Sequence, residues 1–274
     1  MRDPLYIAAR RVLLDALDAA RDHLGALTLV GAQAVYVHAN EADLAVAPYT
    51  IDGDIAIDPR VLGAAPPLDR VLNAAGFVAR EGAVGTWQRS VSVEAVTRLI
   101  SVDLLVPESL GGPGRRAART PPHGVAIARK VSGLEGVLVD REPFAFTSFE
   151  HDDDRSFEIA VAGPAALIVA KVFKILDRAA DADRLRDKDA LDVYRLLRAV
   201  PTDELATRFA TLRAASMSAP VTERAIAELS LLFGTQQSDG CAMAVRSAGD
   251  FEAGETLAAA FAALTQDLVR KVAR

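Results

Sequence analysis

Cysteine is nearly absent from this chain: one residue, Cys241, in 274. It has no partner for an internal disulfide, so a reducing compartment is expected. The thiol reads as a packed or surface side chain rather than a lone nucleophile. Long apolar runs are also missing. None reaches the length of a membrane-spanning helix, so no membrane partner is expected. The opening stretch, MRDPLYIAARRVLLDALDAARDHL, is charged throughout and lacks the pattern of a secretory leader, which makes the cytoplasm the expected location. Basic excess is absent too. With 31 Lys and Arg against 37 Asp and Glu, the net charge is −6. That argues against a surface coated for non-specific nucleic-acid binding, while leaving room for a local basic cleft. No internal repeat, low-complexity tract, zinc-ligand spacing or Ser-His-Asp arrangement stands out.

What is present is an ordinary globular composition with a β-rich first part and a helical second part. Residues 3–24 carry Ile7, Val12, Leu13, Leu14, Leu17 and Leu24 at helical spacing, with Gly25 as the stop. LTLV (27–30) reads as a buried strand, Gly31 as a turn, and AQAVYVHA as a helix. A strand over 50–58 follows, then a proline-started helix over 66–77 and a strand with a glycine turn. Over 95–107, Ile100, Val102, Leu104 and Val106 share one strand face, and Ser101 and Asp103 the other. Further strands are expected around 125–131, 135–147 and at FEIAVAG. From Pro164 onward the pattern turns helical, over PAALIVAKVFKILDRAAD, DKDALDVYRLLRAV, 203–215, 219–234 and 253–273. The expected division falls near residue 160, giving domains 1–160 and 161–274. The fold class is α+β (mixed α/β): a mixed sheet with flanking helices, followed by a C-terminal helical bundle.

The segment TIDGDIAID places Asp52 and Asp54 inside an apolar strand. Aspartate is depleted in strands and costly to bury alone, so a compensating partner is expected. In a strand, residues i and i+2 share a face about 6.5–7 Å apart. Gly53 leaves the opposite face free for close packing, and Asp103 on a second strand supplies a third carboxylate. Such a set suits Mg²⁺, a hard cation that takes oxygen ligands, with Mn²⁺ as a substitute. Two such ions clamp the attacking and leaving oxygens in phosphoryl transfer, with Asp103 helping to deprotonate the attacking hydroxyl. The plain alternative is an edge strand whose carboxylates discourage edge pairing. Asp-x-Asp recurs at Asp152/Asp154, Asp181/Asp183 and Asp187/Asp189, in polar or helical stretches where solvated charge explains it.

The order of these parts, VGAQAV, then TIDGD, then ISVDLLV, resembles the nucleotidyltransferase fold. AGPAALIVAKVFKILDR followed by RLRDKDALDVYRLL resembles the helical half of the AbiEii-type toxins, the whole likeness covering about residues 25–200. It implies transfer of a nucleoside monophosphate from an NTP to an acceptor hydroxyl. The acceptor implied is an RNA 3′ end such as that of tRNA, with an antitoxin as partner, and the helical domain would complete the nucleotide cleft. It implies Asp52, Asp54 and Asp103 as metal ligands, Gly31, Ala32 and Gln33 as the phosphate turn, Lys171 and Lys174 on the triphosphate, and Asp189 orienting Lys171 or the acceptor. The chain departs from the pattern at Ala32, where the family has serine or glycine. It departs again near Pro48 and Tyr49, where many relatives carry arginine. These departures keep two other readings open: a catalytically weak module that binds nucleotide or protein, and a transferase acting on a small molecule such as an antibiotic.

Lys171, Lys174 and Arg178 share one helix face by spacing, opposite Ile168, Val172, Ile175 and Leu176. A solvated amphipathic face is the bland reading, as are surface pairs of Asp189 and Asp192 with Lys188 and Arg195. Arg115, Arg116 and Arg119 form a basic cluster in a glycine-rich loop, either an RNA-backbone contact or an ordinary solvated loop. His123 and His151 lie in polar stretches without metal-ligand spacing, His38 at a helix end reads as a surface histidine, and Trp87 reads as packed or at a rim.

Overall fold

The computed structural model describes residues 3–39, 50–177, 184–249 and 254–273. The chain is mixed α/β and divides into two compact units. One comprises Met1–Ala34, Pro48–Val131 and Arg141–Ala162; the other comprises Val35–Ala47, Ser132–Asp140 and Gly163–Arg274. A single cut near residue 160 therefore describes the division only in part, because two short excursions join the helical unit.

The first unit is built on one mixed sheet. Its strands are β1 (Leu27–Val30), β2 (Asp52–Ile57), β3 (Val78–Ala79), β4 (Thr86–Val93), β5 (Val96–Pro107), β6 (Arg129–Val131), β7 (Arg141–Thr147) and β8 (Ser156–Ala162). The order is β3-β4-β5-β2-β1-β8-β7, with β6 also pairing β5. β2 lies at the centre, antiparallel to β1 and parallel to β5. Helix α1 (Pro4–Ala19) covers one face. Its start is fixed by Asp3, whose carboxylate accepts from Leu5 N at 2.7 Å, and by Pro4. It buries Val12, Leu13, Leu14 and Leu17. The helix ends at Ala19, and a 3-10 stretch over Arg21–Ala26 leads into β1. Helix α2 (Gly31–His38) follows β1, and α3 (Leu68–Ala74) follows β2.

Gly53 meets α1 as its position between two aspartates predicts. A Cβ there would stand 3.0 Å from Leu13 Cδ1. Because neighbouring residues along a strand point to opposite faces, Asp52 and Asp54 project from the other side of the sheet. β2 is central, so the edge-strand explanation of its carboxylates fails.

The helical unit contains α4 (Pro164–Asp177), α5 (Arg184–Ala199), α6 (Thr202–Ala214), α7 (Ala219–Phe233), α8 (Asp239–Ala248) and α9 (Gly254–Val272). Phe209, Phe233 and Phe261 are fully buried, and the Phe233 and Phe261 rings stack at 4.5 Å. The sequence pattern misses α8, whose buried side chains are mostly small: Cys241, Met243, Ala244 and Ala248. Gly240 lets α8 close on α7, since a Cβ there would overlap the Phe233 ring. Burial pushes the Cys241 thiol up to about 11, which suits a packed and unreactive cysteine. The strand expected over 135–147 begins later than predicted. Glu135–Leu138 form a 3-10 turn, packed so closely that a Cβ on Gly136 would stand 3.3 Å from Leu212 Cδ2.

Candidate functional site: an acidic sheet face and a glycine turn

β2 and β5 run parallel with Asp54 directly opposite Asp103 and Asp52 opposite Ser101. Register partners share a face, so Asp52, Asp54 and Asp103 project together from the side of the sheet that α1 leaves open. Neighbouring strands lie about 4.8 Å apart, which puts the backbones of Asp54 and Asp103 in direct adjacency. The same face carries a polar strip beyond them, where Gln88 Nε2 donates to Ser101 Oγ at 3.2 Å.

The side chains are only partly gathered. Arg129 Nη2 donates to Asp103 Oδ2 at 2.7 Å, and Thr50 Oγ1 donates to Asp52 Oδ1. Among the described residues, no group of three or more His, Cys, Asp or Glu side chains is positioned to hold a metal ion. The chemistry of the donors still suits Mg²⁺, since all are carboxylate oxygens on one face. Asp52 and Asp54 would supply the pair, while Asp103 is engaged by Arg129. Arg129 is the residue that sequence reasoning missed. It lies 26 positions downstream of Asp103, and only the β5–β6 pairing, Leu105 opposite Arg129, brings it there.

Gly31 is the turn between β1 and α2, and its φ of +70° is a conformation that favours glycine. A Cβ at this position would overlap Asp54 Oδ2, so the turn lies directly against the buried carboxylate. Ala32 and Gln33 are both buried. The Gln33 amide is already engaged: its Oε1 accepts from Arg10 Nε at 2.9 Å, and its Nε2 donates to the Asp52 carbonyl at 3.2 Å. Arg10 is itself held between rings, its guanidinium 3.7 Å from the Phe146 centroid and 4.1 Å from that of Phe149. Gln33 thus braces β2 and α1. Phosphate binding at this turn would fall to backbone N–H groups. Pro48, Tyr49 and Arg178 lie outside the described residues.

In the helical unit, α4 departs from the expected amphipathic pattern. Pro164–Val169 and Lys171–Phe173 are all buried, so the helix is enclosed nearly all round. Lys171 Nζ donates to Asp189 Oδ1 and to Asp192 Oδ2, each at 2.7 Å. Burial alone would lower the lysine pKa, but the two carboxylates outweigh it and hold the ammonium charged, its pKa above the ordinary value. Arg195 Nη1 donates to the remaining oxygen of Asp192 at 2.9 Å, and its guanidinium lies 5.3 Å from the Tyr36 ring centroid. The Asp192–Arg195 pair expected at the surface is therefore buried. Lys174 stands 3.7 Å from Asp189 with its side chain 35% exposed.

Of the other candidates, Trp87 is packed, with Nε1 donating to the Ile127 carbonyl at 3.1 Å. His123 is buried, edge-on to His23 at 5.3 Å between centroids. His151 is exposed. No described helix is long and apolar enough to cross a membrane.

The chain matches no family model and no curated protein. Among solved structures it is similar to JHP933 from Helicobacter pylori, with 10% identity and a TM-score of 0.47, over 100% of this chain and 95% of that one.

Proposed function

We propose that the chain is a nucleotidyltransferase of the kind its sequence resembles, moving a nucleoside monophosphate from an NTP to an acceptor hydroxyl. The acceptor class is an RNA 3′ end, tRNA included, and the natural partner is an antitoxin protein. The observation that supports this reading most is the placement of Gly31 directly against Asp54, with Asp103 in register beside it. A phosphate received by the backbone at the start of α2 would thereby adjoin the carboxylates.

In this reading Asp52 and Asp54 would hold Mg²⁺, with Asp103 as a third ligand were Arg129 displaced from it. The ion supplies charge neutralisation for the triphosphate and eases ionisation of the acceptor hydroxyl. The acceptor oxygen forms a bond to the α-phosphorus, and the bond from that phosphorus to pyrophosphate breaks, its electron pair leaving with pyrophosphate. Asp103 accepts the hydroxyl proton. Lys174 offers the more exposed ammonium to a triphosphate. Lys171 stays bonded to Asp189 and Asp192 and leaves the triphosphate contact to Lys174.

Label transfer from each of the four NTPs into RNA, with Mg²⁺ or with EDTA, tests the proposal. Wild type is expected to label RNA only with metal, and Asp54→Ala to lose that activity. A second reading is favoured by the Asp103–Arg129 bond and the engaged Gln33 amide: a module that binds nucleotide without turnover. Nucleotide-dependent thermal stabilisation with no label in RNA, protein or small-molecule acceptors would establish that reading and overturn the transferase.

A further inference from the structure

The loop between β5 and β6 borders an open hollow of about 700 Å³. Its walls are mostly apolar, formed by Pro113, Ala117, Pro121, Pro122 and Val125, the last 93% exposed. The volume lies within the range of small-molecule sites, about 300–1,000 Å³.

Three features say what such a cavity would take. Arg115 and Arg119 line it. With their neighbour Arg116 they form a cluster of exposed cations whose guanidinium groups make no hydrogen bond or ion pair among the described residues. Other arginines near the sheet are committed, Arg129 to Asp103 and Arg155 to Asp15 and Asp153. Thr120 also lines the cavity, is 4% exposed, and its Oγ1 is buried without a hydrogen-bond partner. A buried hydroxyl in that condition calls for one. Finally, the segment GGPGRRAARTPPHGV contains no Phe, Tyr or Trp. Single-stranded nucleic acid is gripped by stacking bases on such rings, so the loop lacks the platform a strand needs.

The loop is also fixed in place. Ala117 forms a β-bridge with Arg129, Ala118 N donates to the Ala128 carbonyl at 3.0 Å, and Lys130 N donates to the Arg116 carbonyl at 2.7 Å. Lys130 Nζ donates to the Gly112 carbonyl at 3.0 Å and also to that of Gly114. A preformed frame spares a ligand the entropy of ordering it.

We infer that the 111–125 loop is a binding site for a small amphipathic anion, a compact apolar body carrying one sulfonate, carboxylate or phosphate group. The body fills the proline- and alanine-lined hollow, and the anion takes Arg115 and Arg119. This inference stands apart from the transferase reading.

The probe is 8-anilinonaphthalene-1-sulfonate, titrated by fluorescence into the full chain beside its uncharged counterpart N-phenyl-1-naphthylamine. One saturable equivalent of the sulfonate is expected. Arg115→Gln/Arg119→Gln, at exposed positions, should weaken it about tenfold or more while leaving the neutral probe's binding unchanged. Ala117→Trp, filling the hollow, should weaken both. Circular dichroism melts confirm that each variant is folded. Sulfonate binding unchanged in both variants would overturn the site, and equal binding of charged and neutral probes would overturn its anion selectivity. A labelled oligoadenylate bound more tightly than the sulfonate, and lost with the arginines, would replace it with a nucleic-acid surface.

Discussion

Asp103 and Asp192 are both ion-paired aspartates, one in each unit, and their surroundings differ sharply. Asp103 has one cationic partner, Arg129, and the two side chains are 19% and 35% exposed. Asp192 is 0% exposed and shares Lys171 with Asp189 while binding Arg195 through its other oxygen. A partly exposed pair gains little, about 0–1 kcal/mol, and can change partners. A buried, fully bonded network cannot lose one member without leaving charge stranded. The sheet unit therefore holds the exchangeable carboxylate and the helical unit the fixed set. That contrast predicts which substitutions alter ligand binding and which simply unfold the protein.

The largest effect is expected at Lys171. Lys171→Met leaves Asp189 and Asp192 buried together without their shared cation and should cost about 3–5 kcal/mol, read by urea denaturation. A loss below about 1 kcal/mol would show that the network is not a fixed core and would erase the contrast. Gly31→Ala comes next. The positive φ alone costs about 1–2 kcal/mol, and the added Cβ collides with Asp54. Stability should fall by at least that amount, and NTP-dependent transfer should fall further than stability explains. Gly25→Ala is the control, since nothing lies within 4 Å of a Cβ there. Equal behaviour of the two variants would break the link between the turn and the acidic face.

Arg129→Ala separates partner exchange from structure. Stability should change by no more than about 1 kcal/mol, because the pair is partly exposed. Mn²⁺ affinity, followed by electron paramagnetic resonance, should rise several-fold as Asp103 is released. The double variant Arg129→Ala/Asp103→Asn should lose that gain. An unchanged Mn²⁺ affinity in Arg129→Ala would mean that Asp103 takes no part in holding metal.

The acidic face was legible in the sequence because it rests on local rules. Alternation in 50–58 and 95–107 assigned Asp52, Asp54 and Asp103 to strand faces, and Gly53 between two aspartates marked a close approach on the opposite face, which the structure fills with α1. What stayed hidden depends on distance along the chain. The partners of Gln33 and Asp103 come from residues 23 and 26 positions away, Arg10 and Arg129, and no periodicity links them. Lys171 and Lys174 read as a polar stripe because spacing cannot tell a solvated lysine from one enclosed by carboxylates of another helix. Helix α8 escaped notice because small buried residues give a weak apolar signal. Glu135–Leu138 read as strand because EGVLV is apolar, while the close packing at Gly136 favours a tight turn.

The smallest effect concerns proton binding rather than ion pairing. His123 is buried, and burial lowers its pKa from the ordinary 6.5, aided by the charge of nearby His23 and opposed by a backbone bond to Gly63 and by Asp69. Its Nδ1 accepts from Leu68 N at 3.2 Å, which requires that nitrogen to be unprotonated. The unfolded chain therefore binds this proton more readily than the folded one. The sign follows from linkage: this contribution to stability is complete above pH 6.5 and declines as pH falls from there toward the lowered folded value. His123→Gln keeps an acceptor for Leu68 N but does not titrate. Across pH 7.5 to 5, melting temperatures of wild type should fall more steeply than those of the variant. Identical slopes would mean that His123 takes up its proton as easily folded as unfolded, and that the packing of the sheet unit here yields to charge as readily as its acidic face yields to a change of partner.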